Sequence, residues 1–152
     1  MQQSLRKFWS QTLLPMLVRP RRLQVAALCW RPAAGGREVL LITSRDTGRW
    51  VLPKGWPMVG KTSAESAAQE AWEEAGVLKG RFEDVPLGQY HYDKRLDNGA
   101  LEPLETLVYG VEVLEMRDDF PEARERSRNW VSPAEAARLV DEPQLSALLG
   151  RF

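Results

Sequence analysis

The sequence predicts an α+β fold, a mixed β-sheet with helices packed on its faces. Three observations lead there. Short apolar runs rich in Val, Ile and Leu recur along the chain, separated by Pro, Gly, Asn and Asp. One central stretch carries both the start and the stop signals of a helix. Helical patterning is otherwise confined to the two ends of the chain.

Taken in order, Leu5–Leu14 reads as a short amphipathic helix within a basic N-terminal arm, residues 1–20, covering the domain or a partner subunit. A single domain is expected over residues 21–152. Leu23–Trp30 and Val39–Thr43 read as strands separated by Pro32-Ala33-Ala34-Gly35-Gly36. Trp50-Val51-Leu52 is a further short strand, stopped by Pro53 and Gly55. The central helix should span Ser63–Ala75. Thr62 with Glu65 three residues on forms a capping box. Ala64, Ala67, Ala68, Ala71, Trp72 and Ala75 recur at helical spacing, and Gly76 suits the left-handed C′ position, with Val77 packing back on Trp72. Strands are expected at Leu87–Tyr92 and Leu104–Leu114, with a turn at Asp97-Asn98-Gly99. Trp130-Val131 is a short strand. Ser132, Pro133 and Glu135 then open a helix as N-cap, N1 and N3, and a last helix covers Pro143–Leu149.

Charge is balanced at 21 basic and 21 acidic residues, but it is not evenly distributed. Arg6, Lys7, Arg19, Arg21, Arg22, Arg31 and Arg37 all precede the first acid, Glu38, leaving 14 basic against 21 acidic residues in the remainder. A basic end on an acidic body can help hold a polyanion, although a solvated arm has the same composition. Cys29 is the sole cysteine, which excludes an intrachain disulfide and a cysteine-built zinc site; a reducing, cytoplasmic setting is expected. No apolar stretch approaches the roughly 18 residues that span a membrane. The single histidine, His91, falls on an expected strand and reads as structural.

The central helix carries Glu70, Glu73 and Glu74, all expected on one face. Like charges at this spacing cost about 0.2–0.5 kcal/mol per pair. Glu73 and Glu74 also fall in the last turn, where the helix dipole disfavours anions, and no Lys or Arg lies on the helix. A bound divalent cation would remove both penalties, and oxygen-only ligands favour Mg²⁺ or Mn²⁺. A solvated acidic face is the competing reading of the carboxylates alone.

Their context is more specific. The stretch GWPMVGKTSAESAAQEAWEEAGV, from Gly55 to Val77, closely resembles the Nudix box, G-x5-E-x7-R-E-U-x-E-E-x-G-U with U aliphatic. Gly55, Glu70, Ala71, Glu73, Glu74, Gly76 and Val77 fall in register. The resemblance implies a Nudix-type α/β/α sandwich with a mixed sheet and the family's loop–helix. It also implies metal-binding and catalytic roles for Glu70, Glu73 and Glu74, with Mg²⁺ (or Mn²⁺) as cofactor. Two positions depart: Lys61 stands where the box has Glu, and Gln69 where it has Arg. Lys61 and Glu65 can instead form an i,i+4 pair. The text RWVLPKGWP, with its LPKG, resembles the diphosphoinositol polyphosphate phosphohydrolase branch, which also acts on dinucleoside polyphosphates.

The resemblance thus implies a metal-dependent pyrophosphohydrolase that cleaves a phosphoanhydride bond in a small phosphorylated substrate: a dinucleoside polyphosphate, a nucleotide or a diphosphoinositol polyphosphate. Lys54, directly before the box, and Arg45, at the end of the second strand, are the candidate phosphate ligands. Arg21, Arg22, Lys94 and Arg95 are weaker ones. Glu122 is a candidate acid–base residue outside the box, and Trp56 a candidate for base stacking. A homodimer is a candidate assembly, whereas DNA and membranes are not expected partners. Two alternatives stand beside this reading. An RNA 5′-pyrophosphohydrolase would want a broad basic surface, which the acidic body lacks. A non-catalytic Nudix-fold binding or regulatory domain would have less need of the glutamates.

Overall fold

The computed structural model describes residues 21–152; the arm at residues 1–20, with its expected helix, lies outside the described residues. Strand β1 (Arg22–Ala33) holds the apolar run Val25–Cys29, every residue of which is fully buried. Such a run without polar alternation belongs to a strand covered on both faces. The two faces separate cleanly. Val25, Ala27 and Cys29 pack toward helix α1 (Ser63–Ala75), with Leu40 and Ile42 of β2 (Gly36–Thr43). Ala26, Leu28, Val39 and Leu41 pack toward helices α2 (Pro133–Leu139) and α3 (Pro143–Gly150). The result is the expected α/β/α arrangement around a mixed sheet.

The longest strand, β7 (Leu101–Met116), runs parallel to β1, with Arg22–Trp30 against Leu104–Glu112. Its other edge is shared. Strand β6 (Gly88–Arg95) pairs antiparallel with Leu101–Val108, and β5 (Val77–Phe82) pairs antiparallel with Val111–Met116. On the far side, β2 pairs with β1, with β3 (Trp50–Val51) and with β8 (Arg128–Val131).

β6 and β7 run past their expected ends, to Arg95 and Met116, and three other elements differ more from expectation. β1 continues through Pro32 to Ala33, closing a tighter hairpin on β2 at Ala33↔Gly36. β7 pairing ends at Trp30, so Pro32 sits where that edge of the strand is open and its missing N–H is tolerated. β4 (Lys54–Gly55) pairs with β1 at Ala26 and Val25, although Pro53 and Gly55 read as a stop. β5 carried no strand signal, because Lys79, Gly80 and Arg81 interrupt it. Pairing with β7 makes the strand, with ion pairs Lys79–Glu115 at 3.3 Å and Arg81–Glu112 at 3.6 Å across it.

Helix α1 has the expected bounds and caps. Thr62 accepts from the Glu65 N–H, and the Thr62 N–H donates back to the Glu65 carboxylate. Gly76 takes the left-handed conformation, φ 75°, and its N–H donates to the Trp72 carbonyl at 3.0 Å. Any side chain at this residue would also collide with the Arg117 carbonyl. Among the described residues no helix is long and apolar enough to cross a membrane.

Candidate active site

The cleft side of α1 is built around two glutamates. Glu70 and Glu74 are each 8% exposed. The short strand β4 passes so close to the helix that a Cβ at Gly55 would fall inside the Glu70 carboxylate. The motif glycine is thus required by close approach. Burial, followed by the charges of Glu74, Glu73 and Glu122, pushes the Glu70 carboxyl up to about 7. Burial raises Glu74 as well, against the opposing pull of Arg126 and of the Lys54 N–H.

Glu74 is pinned at both oxygens. Its Oε2 accepts from the backbone N–H of Lys54 at 3.0 Å, and its Oε1 from Nη2 of Arg126 at 2.9 Å. The same Nη2 donates to Glu122 Oε1 at 3.2 Å. Glu122 reaches the cleft because its N–H caps the Glu73 carbonyl at 3.0 Å, one of the open carbonyls at the helix end. Arg128 serves the same end, donating to the Ala75 carbonyl at 3.1 Å. The negative helix terminus that lacks cations of its own therefore receives them from Arg126 in the loop before β8 and from Arg128 at the start of β8.

Glu73 departs from the expected common face. At about 100° per residue it lies roughly 60° from Glu70, on the side opposite Glu74. It does not line the cleft; its Oε1 accepts from Gln69 Nε2 at 3.2 Å. Gln69 thus gives a neutral version of the contact available to the motif's arginine. Lys61 forms no ion pair with Glu65 among the described residues, because the Glu65 carboxylate is taken up by the capping box.

The carboxylates open onto a cleft of about 490 Å³. Arg45, Arg49, Lys54, Lys94, Arg95 and Arg126 line it, together with Trp56 and Tyr92. Lys54 and Arg45, the two expected phosphate ligands, are both here. Lys54 is half-buried, and desolvation lowers its ammonium pKa against the pull of Glu74. Arg45 is exposed and paired with Glu122 at 3.2 Å and Glu125 at 3.3 Å. Arg22 stacks over Trp56 at 4.0 Å, covering the ring face that a base would use. The His91 backbone N–H donates to Gln144 Oε1 at 2.6 Å, and its buried side-chain Nε2 has no partner among the described residues.

Sequence reading missed Arg126 and Arg49. Arg126 is buried and reaches Glu74 across 52 positions, so no local pattern marks it. Arg49 is held by Glu142 at 2.6 Å across 93 positions.

Among the described residues no three acidic, His or Cys side chains already converge as a metal cage. The donor chemistry nevertheless fits a hard cation. Two carboxylates, Glu70 and Glu74, are desolvated side by side, and burial followed by the neighbouring carboxylate charges raises the proton affinity of Glu70.

The chain is similar to known proteins in sequence and in fold. The chain is 33% identical over 118 residues to Nudix hydrolase 12, mitochondrial, of Arabidopsis thaliana, covering 76% of this chain and 58% of that protein. It is 27% identical over 119 residues to human diphosphoinositol polyphosphate phosphohydrolase 3-beta, covering 77% and 68%. The Ap4A hydrolase of C. elegans has the same fold, with a TM-score of 0.61 at 19% identity over 88% of this chain and 96% of that one. The chain spans 58% to 63% of the length of the four plant relatives it matches. Residues 20–150 match the NUDIX domain, and the chain belongs to that family.

Proposed function

We propose that this chain is a divalent-metal-dependent pyrophosphohydrolase acting on a phosphoanhydride bond of a small polyphosphate. One observation carries the reading: a single cleft brings Glu70, Glu74 and Glu122 together with six Lys and Arg side chains. Carboxylates suit a hard cation and the guanidinium and ammonium groups suit phosphate oxygens, so the two sets together suit a metal-bound polyphosphate.

Glu70 and Glu74 would hold Mg²⁺ or Mn²⁺, and Glu73 joins them once it leaves Gln69. The bound cation would neutralise phosphate oxygens and lower the pKa of an attacking water. Lys54 and Arg45 hold the phosphate chain in line, and Arg45, itself exposed, exchanges its carboxylate partners for phosphate. Water adds at phosphorus, the bridging P–O bond breaks, and the water proton passes to a cleft carboxylate. We assign that acceptor as Glu122, whose Oε1 holds both Arg126 and Arg45, leaving Oε2 without a partner among the described residues.

The substrate we infer carries three or more linked phosphates, either a dinucleoside polyphosphate or a diphosphoinositol polyphosphate. Support comes from the cleft cations Arg45, Lys54, Lys94 and Arg95, apart from Arg126 and Arg49 which carboxylates already hold, and from the activity in the human relative's name. A reducing compartment suits the single buried cysteine. The test is phosphate release from a matched panel with Mg²⁺ or Mn²⁺: dinucleoside polyphosphates, inositol pyrophosphates, nucleotide sugars and 5′-triphosphate RNA. The expected result is the highest kcat/KM on a small polyphosphate and none in excess chelator. A nucleotide sugar as best substrate overturns the substrate class. Tight binding of the panel without phosphate release overturns catalysis in favour of a ligand-binding domain.

A further inference from the structure

We propose that Arg126 is a built-in counter-ion for the cleft: it supplies the positive charge that helix α1 lacks, holds Glu74 and Glu122 together while no metal is bound, and positions Glu122 for the reaction. The inference rests on the reading of the cleft given above.

Helix α1 has three glutamates in its last two turns and no basic residue in its last turn, and Gln69 is neutral. Left alone, Glu74 and Glu122 would repel each other across a partly desolvated gap. Arg126 closes it. The side chain is 6% exposed, and its Nη2 lies 2.9 Å from Glu74 and 3.2 Å from Glu122. Its Nη1 donates to the Thr43 carbonyl at 2.9 Å. Thr43 is itself tied to the next residue: its N–H donates to the Ser127 carbonyl at 3.1 Å, and its Oγ1 accepts from the Ser127 N–H at 2.8 Å. The guanidinium is therefore anchored to the end of β2 before it meets either carboxylate.

A closed circuit results. The Glu73 carbonyl holds the Glu122 N–H, the Glu122 carboxylate holds Arg126, and Arg126 holds Glu74 of the same helix. The planar fork holds these three acceptors in one fixed geometry, whereas a lysine ammonium carries three donors on a single point charge at the end of a flexible stem. Both terminal nitrogens of Arg126 are engaged, and only Nε is without a partner among the described residues. Arg126 is thus a positioning residue, and a substrate phosphate would have to displace it from the carboxylates to use it.

The experiment compares wild type, Arg126→Gln, Arg126→Lys, Glu122→Gln and the Arg126→Gln/Glu122→Gln double variant. Melting is measured with and without Mn²⁺, alongside steady-state kinetics on the best polyphosphate. Breaking a buried pair strands a charge, so the metal-free Tm of Arg126→Gln should fall by roughly 6–15 °C. Mn²⁺ should then raise the Tm of Arg126→Gln by more than it raises wild type, because the metal supplies the charge that Arg126 gave between Glu74 and Glu122. kcat should drop about 10–100-fold, the scale of a lost supporting contact, with KM changed far less. Arg126→Lys should recover part of the metal-free Tm and little of kcat. The Tm losses of Arg126→Gln and Glu122→Gln should be less than additive in the double variant.

Equal Mn²⁺-induced shifts in wild type and Arg126→Gln overturn the counter-ion role, as do additive losses in the metal-free cycle. A fall in kcat/KM that resides in KM alone marks Arg126 as an ordinary phosphate ligand and overturns positioning. If wild type turns over nothing in the panel, the catalytic reading fails, and the metal-free cycle still decides the brace.

Discussion

Helix α1 presents two sides that differ in what holds them. The cleft side carries Glu70 and Glu74, nearly buried, with Glu74 fixed by the Lys54 N–H and by Arg126. The outer side, with Ala68, Gln69 and Trp72, lines a shallow groove with Lys61, Leu78 and Phe82. Both departures from the motif, Lys61 and Gln69, fall on this outer side. The cleft therefore keeps its carboxylates in place without the motif's own Glu and Arg, because their supports come from β4 and from the loop before β8. Glu73 lies at the border, facing Gln69 instead of the cleft. One helix thus combines a demanding surface with a permissive one, and substitutions on the two should differ in kind.

The largest effect should come from the cleft side. Glu70→Gln or Glu74→Gln should lower kcat by about a hundredfold or more while leaving the far-UV spectrum unchanged, since metal charge stabilisation is worth several kcal/mol. Near-wild-type turnover in either variant would remove these residues from the metal site. Glu73→Gln should cost less than either, which sharpens the contrast between cleft and border.

Next is Gly55→Ala. The added methyl must displace the Glu70 carboxylate, so the variant should lose about 1–3 kcal/mol of stability and most of its activity. Unchanged melting and turnover would mean that β4 and α1 are not in close approach.

Arg45→Ala and Lys54→Ala should each lower kcat/KM more for a long polyphosphate than for a diphosphate, because the extra phosphates lose charge-assisted contacts. The Arg45 effect should shrink in high salt, since that side chain is exposed, and the Lys54 effect should persist. Equal losses on all substrates would assign both residues to general stability.

The smallest effect belongs to the outer side. Lys61→Glu with Gln69→Arg restores the motif's pair and should raise Tm above either single change, at about 0.2–1 kcal/mol for an exposed ion pair. Simple additivity would show that the two positions are uncoupled.

Much of this arrangement can be read from the chain alone. The α+β class, the bounds and caps of α1, the apolar strand at Leu23–Trp30 and the glutamates of the motif all follow from signals within a few residues of each other. Capping boxes, helical periodicity and a glycine at C′ are local physics, and they survived folding unchanged. What only the tertiary structure decided lies elsewhere. β5 became a strand through pairing with β7, despite Lys79, Gly80 and Arg81. Arg126 meets Glu74 from 52 positions away, and Arg45 meets Glu125 from 80. A buried charge pair between distant segments leaves no periodicity, because its partners are selected by the path of the backbone and by the need to compensate desolvated carboxylates.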